Sequence, residues 1–317
     1  MATIKDAGRL VKLMYLINLI SKKGLAITGL LNGPHGIGKS QVVKEAAVNL
    51  GGLPFVVEGW SLKEGEITGL PFASKNADGS SEVRFVPYYI ISNVMKLEKE
   101  LYRRATTTGF LDGEIKIVEN NLVIRGGNYD KSDMIIPLLN DLHKIARGEI
   151  NNYKFGDELP YQYKAKLIES GEILPIVLFI DELNRTENQT MKELMNIVLN
   201  KNVNGYDLPW WVTTIGAVNP SSQNSVYQTN EMDDAQKDRF LEINVTAQLE
   251  EWTEYAFDAK INPRVVSAVA TSSDLFHRTG KGHTNIEEQS PSPRSWEMVA
   301  NIIDAMERFK NSPLLTA

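Results

Sequence analysis

The 317-residue sequence contains no cysteine. Disulfide frameworks, thiolate metal sites and cysteine nucleophiles are thereby excluded, and the absence agrees with a reducing cytoplasm. Histidine is scarce as well, with four in the chain, and His143, His277 and His283 show no metal-ligand spacing. No stretch approaches the ~20 apolar residues that span a bilayer. The apolar run Leu10–Ile20 is broken by Lys12 and Asn18 and has no small-residue cleavage site after it. It reads as an amphipathic helix, and no membrane partner is expected. An excess of positive charge is missing too. With 34 Lys+Arg against 40 Asp+Glu the formal net charge is −6, which argues against a uniformly basic shell for nucleic acid while allowing a local basic patch. Fixed-period repeats and low-complexity tracts are absent. What remains, 42% hydrophobic and 23% charged residues, is the composition of an ordinary globular chain, long enough for about two domains.

Short apolar runs alternate with helical stretches, which predicts an α/β chain with a parallel sheet. After the N-terminal helix come a strand at Ala26–Leu31, a helix at Ser40–Asn49 stopped by Gly51-Gly52, and a strand at Phe55–Val57. Leu174–Ile180 is the most apolar run, as befits a central strand covered on both faces. Thr190–Asn200 repeats at helical period, and Trp210–Val218 and Phe240–Val245 read as the fourth and fifth strands of the five-stranded core. Past Thr246 the pattern is helical. Gln248–Ala259 is one helix, and Asn262-Pro263 and Ser292-Pro293 each read as a cap followed by proline in the first turn of another. The chain between the second and third strands exceeds what a crossover needs. It reads as a structured insertion with a hairpin turning at Asn76-Ala-Asp-Gly-Ser80 and a second formed by Ile115–Val118 and Leu122–Arg125. Helices are expected beside them at Ser92–Thr106 and Asp133–Ala146. The expected division is an α/β unit at residues 1–246, with an insertion at about 61–172, and a small helical unit at 247–317.

Two segments carry phosphate chemistry. Gly33-Pro-His-Gly-Ile-Gly-Lys-Ser40 fits G-x-x-x-x-G-K-[ST] and falls between a predicted strand and a predicted helix. Such glycines let backbone N–H groups curl around phosphates at a helix N-terminus. Lys39 would reach the outer phosphates and Ser40 would ligate Mg²⁺. Asp181-Glu182 closes the central strand at its carboxyl end, where open parallel sheets bind ligands. Asp181 suits a metal-associated role and Glu182 a base for the attacking water, the alternative being acids that cap a helix.

With these segments in place the chain resembles the AAA+ ATPases, and among them the MoxR-like and dynein-related branch that carries an insertion at helix 2. The resemblance rests on GPHGIGKS, GEITGLPF (Gly65–Phe72), LFIDELNR (Leu178–Arg185), GAVNP (Gly216–Pro220), AQKDRF (Ala235–Phe240) and SPRSWE (Ser292–Glu297), in that order. It implies a P-loop three-layer α/β fold with a C-terminal helical lid. It implies ATP and Mg²⁺, the nucleotide held by Gly33, Pro34, His35, Gly36, Ile37, Gly38, Lys39, Ser40 and Gln41, and the metal by Ser40 and Asp181. Catalysis would fall to Glu182, to Asn219 as sensor 1, to Arg239 as a finger acting on a neighbouring subunit, and to Arg294 as sensor 2. The alternatives are a turn asparagine before Pro220 for Asn219, an ion pair with Asp233, Asp234 or Asp238 for Arg239, and a structural role for Arg294. A cation in the first turn of a helix opposes the macrodipole, a cost that a nearby phosphate offsets. Arg185 either faces a neighbour or pairs within the chain.

Other features have plainer readings. His35 is incidental within its loop. Lys96, Lys99, Arg103 and Arg104 read as a solvated helix face, with a partner or nucleic-acid contact as the minority reading. Trp210 and Trp211 read as core. The function implied is that of a ring-forming ATPase, most simply hexameric and cytoplasmic. It would remodel or assemble a protein complex, with a protein substrate or adaptor, a von Willebrand factor A-type partner being one candidate. The alternatives are a nucleic-acid motor, disfavoured by the charge, and an ATP-dependent scaffold with little turnover.

Overall fold

The structure, a computed structural model, describes residues 2–20, 27–63, 65–66, 69–75, 81–86, 90–96, 115–118, 121–124, 164–165, 168–169, 173–220, 232–272, 276 and 291–310. The expected helix at Asp133–Ala146, the turn at 76–80, and Lys99, Arg103, Arg104, His143, His277 and His283 lie outside these residues.

Strands β1 (Ala2–Thr3), β2 (Gly29–Asn32), β3 (Leu53–Glu58), β8 (Ile176–Asp181), β11 (Val212–Val218) and β12 (Leu241–Thr246) form one sheet in the order β1-β12-β2-β11-β8-β3. Every pairing in it is parallel. The sheet therefore has six strands where five were expected. The sixth is the edge pair Ala2–Thr3, laid on Val245 and Thr246, and two residues leave no periodic signal in a sequence. Helix α1 (Ile4–Ile20) starts before the expected Leu10, because Thr3 and Asp6 form a reciprocal cap: Asp6 N donates to Thr3 Oγ1 at 3.2 Å and Thr3 N to Asp6 Oδ2 at 3.3 Å.

The central strand shows why its sequence is apolar from Ile176 to Ile180. Val177 and Phe179 pack toward α1 and α2 (Lys39–Asn49) with Val11, Met14, Val43 and Ala47. Ile176, Leu178 and Ile180 point to the other face, against Leu194 and Val198 of α3 (Asn188–Asn200) and against Trp210 and Trp211. Each such side chain, fully buried, contributes about 1.5–3 kcal/mol. The tryptophans are core as expected, but they precede β11 rather than begin it; their rings meet edge to face at 5.4 Å. Asn18, which interrupts the apolar run of α1, is buried and exchanges two bonds with Ile27, donating to its carbonyl at 3.0 Å and accepting from its N–H at 2.8 Å.

Both expected hairpins are present, and a short ribbon of β9 (Asn202–Val203) paired antiparallel with β10 (Tyr206–Asp207) follows α3. β4 (Leu70–Lys75) pairs antiparallel with β5 (Ser81–Val86), and β6 (Ile115–Val118) with β7 (Asn121–Ile124), one residue earlier than expected because Asn121 pairs with Val118. Residues 90–96 are helical and bury Ile90, Ile91 and Val94. Beyond a short helix α4 (Asp234–Lys237) and strand β12 come α5 (Leu249–Asp258), α6 (Pro263–Thr271) and α7 (Pro293–Phe309), which share a separate core around Trp252, Val266, Val269 and Ala300. Asn262 and Ser292 cap α6 and α7 as expected. Among the described residues no helix is long and apolar enough to cross a membrane.

Candidate active site

Strand β2 ends at Asn32, and the chain runs through Gly33–Gly38 directly into α2. The glycines are there for space and for backbone sign. A Cβ on Gly33 would stand 2.5 Å from the carbonyl oxygen of Val245, a main-chain atom that cannot move aside, and Gly36 and Gly38 have φ of 74° and 101°. The loop brings Lys39 under itself. Its ammonium donates to the carbonyls of Gly33 (2.5 Å) and Pro34 (2.9 Å) and to Asn219 Oδ1 (2.8 Å). Burial pushes the Lys39 amine down to about 8, against the opposing pull of Asp181 and Glu182, and the Arg294 cation lowers it further. A desolvated cation below a helix N-terminus with free N–H groups is arranged to take an anion.

Across from it, β8 delivers Asp181 and Glu182. The Ser40 hydroxyl donates to Asp181 Oδ2. Glu182 then turns the chain in the left-handed region (φ 53°, ψ 42°), a conformation that costs a non-glycine residue about 1–3 kcal/mol and collects at functional sites. Its carboxylate accepts from Arg185 Nη1 at 2.9 Å on both oxygens and from Asn219 Nδ2 at 3.2 Å. Of the two readings open for Arg185, the local pair is the one formed. Asn219, at the end of β11, thus bridges cation and carboxylate with its two amide atoms. Its main chain is gripped in turn by Asn184, which donates to the Asn219 carbonyl at 2.8 Å and accepts from its N–H at 3.2 Å.

The architecture is a parallel α/β sheet flanked by helices, with a glycine-rich loop leading from β2 into α2. No family model matches the sequence and no curated protein matches it. Among solved structures it is similar to a protein of Cytophaga hutchinsonii assigned as an ATPase (13% identity, TM-score 0.35, 95% of this chain and 62% of that one). It is similar to C. elegans PCH-2 (11%, 0.38, 98% and 63%) and to the FIGL-1 AAA domain in complex with ADP (13%, 0.36, 96% and 71%). The chain spans less than two thirds of the length of the first two.

The remaining residues of the glycine-rich loop, and Arg294 of α7, fall on one side of this centre. Gly36, Gly38, Ser40, Gln41 and Arg294 border a cavity of about 570 Å³ that runs between α1, α2, α5 and α7. Gln41 Nε2 donates to Glu45 Oε1 at 2.9 Å, and His35 is exposed. Arg294 is exposed on the first turn of α7, and its N–H donates to the Gly36 carbonyl at 3.2 Å, which seats that helix on the phosphate loop. Deeper in the same cavity wall, burial pushes the Glu297 carboxyl up, against a bond from Tyr255 and the Arg294 charge.

Arg239 is not brought into this cluster. It lies exposed just before β12, whose Leu241 pairs with Gly29 at the start of β2. The phosphate loop leaves from the other end of that strand, ~10 Å further along at ~3.3 Å per residue. Among the described residues it forms no ion pair with Asp233, Asp234 or Asp238.

The donor set fits a magnesium ion. The Ser40 hydroxyl and the Asp181 carboxylate are hard oxygen donors already in contact. No cluster of three or more acidic or histidine side chains exists among the described residues, and Mg²⁺ needs only one or two protein oxygens when phosphates supply others.

Two residues of the site escaped the sequence reading. Asn184 follows the acidic pair, but nothing in its spacing marks an amide that folds back onto β11. Ser292 was read only as a cap. It also packs on Gly36, where a Cβ would lie 2.9 Å from its hydroxyl oxygen. Gly36→Ala should therefore unseat α7 as well as strain the loop by about 1–3 kcal/mol. A lowered melting temperature with weakened nucleotide binding is the expected result, and unchanged melting would refute it.

Proposed function

We propose that the chain is a Mg²⁺-dependent ATPase of the AAA+ type, with residues 1–246 as its nucleotide-binding unit, interrupted by an insertion at about 61–172, and 247–317 as a helical lid. The observation that carries this is the meeting of Lys39, Ser40, Asp181, Glu182 and Asn219 at the carboxyl ends of three adjacent parallel strands, β2, β11 and β8. In this reading the loop Gly33–Gln41 wraps the phosphates, and Lys39 exchanges its carbonyl and amide partners for phosphate oxygens. Ser40 and Asp181 hold the metal, which when bound neutralises charge on the phosphates. Glu182 accepts the proton of the attacking water, Asn219 orients that water, and Arg294 adds positive charge from the lid.

Arg239 completes the site of a neighbouring copy, since its own phosphate loop leaves from the opposite end of β2. Head-to-tail contacts of that kind close into rings, and we take the ring to be a cytoplasmic hexamer. By its resemblance to the MoxR-like branch, the ring would remodel or assemble a protein complex, meeting its substrate or a von Willebrand factor A-type adaptor through the insertion. The test is direct. Purified protein should release phosphate from ATP only with Mg²⁺ and should shift from monomer to a closed oligomer on adding ATP. Metal-independent turnover, or full turnover by a monomer, would overturn the reading.

A further inference from the structure

Strand β11 keeps its β8 neighbour only as far as Gly216, opposite Ile180; Ala217 and Val218 still pair with β2, opposite Leu31 and Asn32. Asn219 lies past the end of both ladders. Its N–H and C=O would then need water or a side chain, and both are taken by one side chain. Asn184 Oδ1 accepts from the Asn219 N–H at 3.2 Å, and Asn184 Nδ2 donates to the Asn219 carbonyl at 2.8 Å. The amide stands where the peptide of a continued β8 would have stood. It gets there because Glu182 turns left-handed and starts the 3-10 turn Leu183–Arg185, which buries Asn184 to 6% exposure.

What Asn184 holds is not an ordinary stretch of backbone. The side chain of the residue it grips accepts from Lys39 Nζ at 2.8 Å and donates to Glu182 Oε1 at 3.2 Å. We infer that Asn184 is a positioning residue: by fixing the Asn219 peptide it sets the distance between the loop lysine and the Glu182 carboxylate in the assembled site. The inference rests on the ATPase reading above. Asn184 touches none of the reacting atoms, and its effect passes entirely through Asn219.

Replacing Asn184 by Asp keeps the acceptor for the Asn219 N–H but sets a carboxylate oxygen against the Asn219 carbonyl, with almost no change of volume. Displacing a catalytic group by ~1 Å costs on the order of 100-fold in rate. Asn184→Asp should therefore lower kcat by about 10- to 100-fold while a fluorescent ATP analogue binds with little change. The decisive variant is the double one. If Asn184 acts through Asn219, then Asn184→Asp added to Asn219→Ala should lower kcat no further than Asn219→Ala alone. Losses that multiply would overturn the inference, as would an Asn184→Asp protein with reduced melting temperature and normal kcat. Asn184→Ser is read by the same criteria if Asn184→Asp does not fold. Absence of ATP turnover in the wild-type chain would instead sink the ATPase reading, and this inference with it.

Discussion

Glu182→Gln is expected to bind ATP about as well as the wild type and to hydrolyse it on the order of 10²–10⁴ times more slowly, the usual contribution of a positioned general base. The substitution is nearly isosteric, so the left-handed turn at Glu182 and the 3-10 turn behind it meet no new strain. Oε1 stays an acceptor for Asn219 Nδ2, and the link from Asn219 to Lys39 is untouched. What disappears is the group able to take a proton, together with the charge opposite Arg185. Loss of that half-buried ion pair costs some stability, so the melting temperature should fall by a few degrees at most, by about 1 kcal/mol. Equilibrium binding of a fluorescent ATP analogue and steady-state phosphate release separate the two effects. Undiminished turnover would remove Glu182 from the role of base. If the expected result holds, the variant stays in its ATP-bound state, which makes it the form in which a substrate or adaptor is best captured.

The parts of this fold that sequence alone discloses are those whose physics is local. The loop from Gly33 to Ser40 needs glycine wherever another backbone, Ser292 at the start of α7 or a positive φ leaves no room for Cβ, and those needs are written at fixed spacing. Strand β8 is legible because both its faces are covered, which makes every residue from Ile176 to Ile180 apolar. The caps Asn262 and Ser292 are legible because a helix start has its own residue preferences. The parts that were missed are made by distant partners. Ala2–Thr3 is a strand only because Val245 and Thr246 offer it an edge. Trp210 and Trp211 look like strand and are core beside one.

The same division runs through the site. The residues of the cluster are evident from their motifs, yet their connections are not. That Asn219 touches both Lys39 and Glu182, that Arg185 spans both oxygens of Glu182, and that Asn184 reaches back to β11 all depend on one left-handed residue at the end of β8. A sequence pattern records which residues a turn contains and not where the turn sends them.

The second large effect belongs to Arg239. Arg239→Ala should lose about 10³–10⁵ in kcat, the range of an arginine finger in phosphoryl transfer. It should leave ATP affinity and melting temperature near wild type, because the side chain is exposed and has no ion pair among the described residues. A loss of activity alone does not say whose phosphates the arginine serves; mixing does. Arg239→Ala chains keep Glu182 and lack the finger, while Glu182→Gln chains keep the finger and lack the base. In random mixed rings of equal amounts, an active interface needs an Arg239→Ala chain holding the nucleotide beside a Glu182→Gln chain supplying the arginine, which is about a quarter of the head-to-tail interfaces. Two preparations that are each inactive should then regain a substantial part of wild-type turnover on mixing, and only after time for subunits to exchange. If Arg239 instead worked on its own chain, every subunit in the mixture would remain defective and no activity would return. Differently tagged variants co-purified as mixed oligomers that still show no turnover would therefore exclude action in trans. Full activity in Arg239→Ala by itself would remove the residue from catalysis. The sheet geometry argues for recovery, since Arg239 precedes the strand whose first residue is level with the start of β2, and the phosphate loop begins only after that strand has ended.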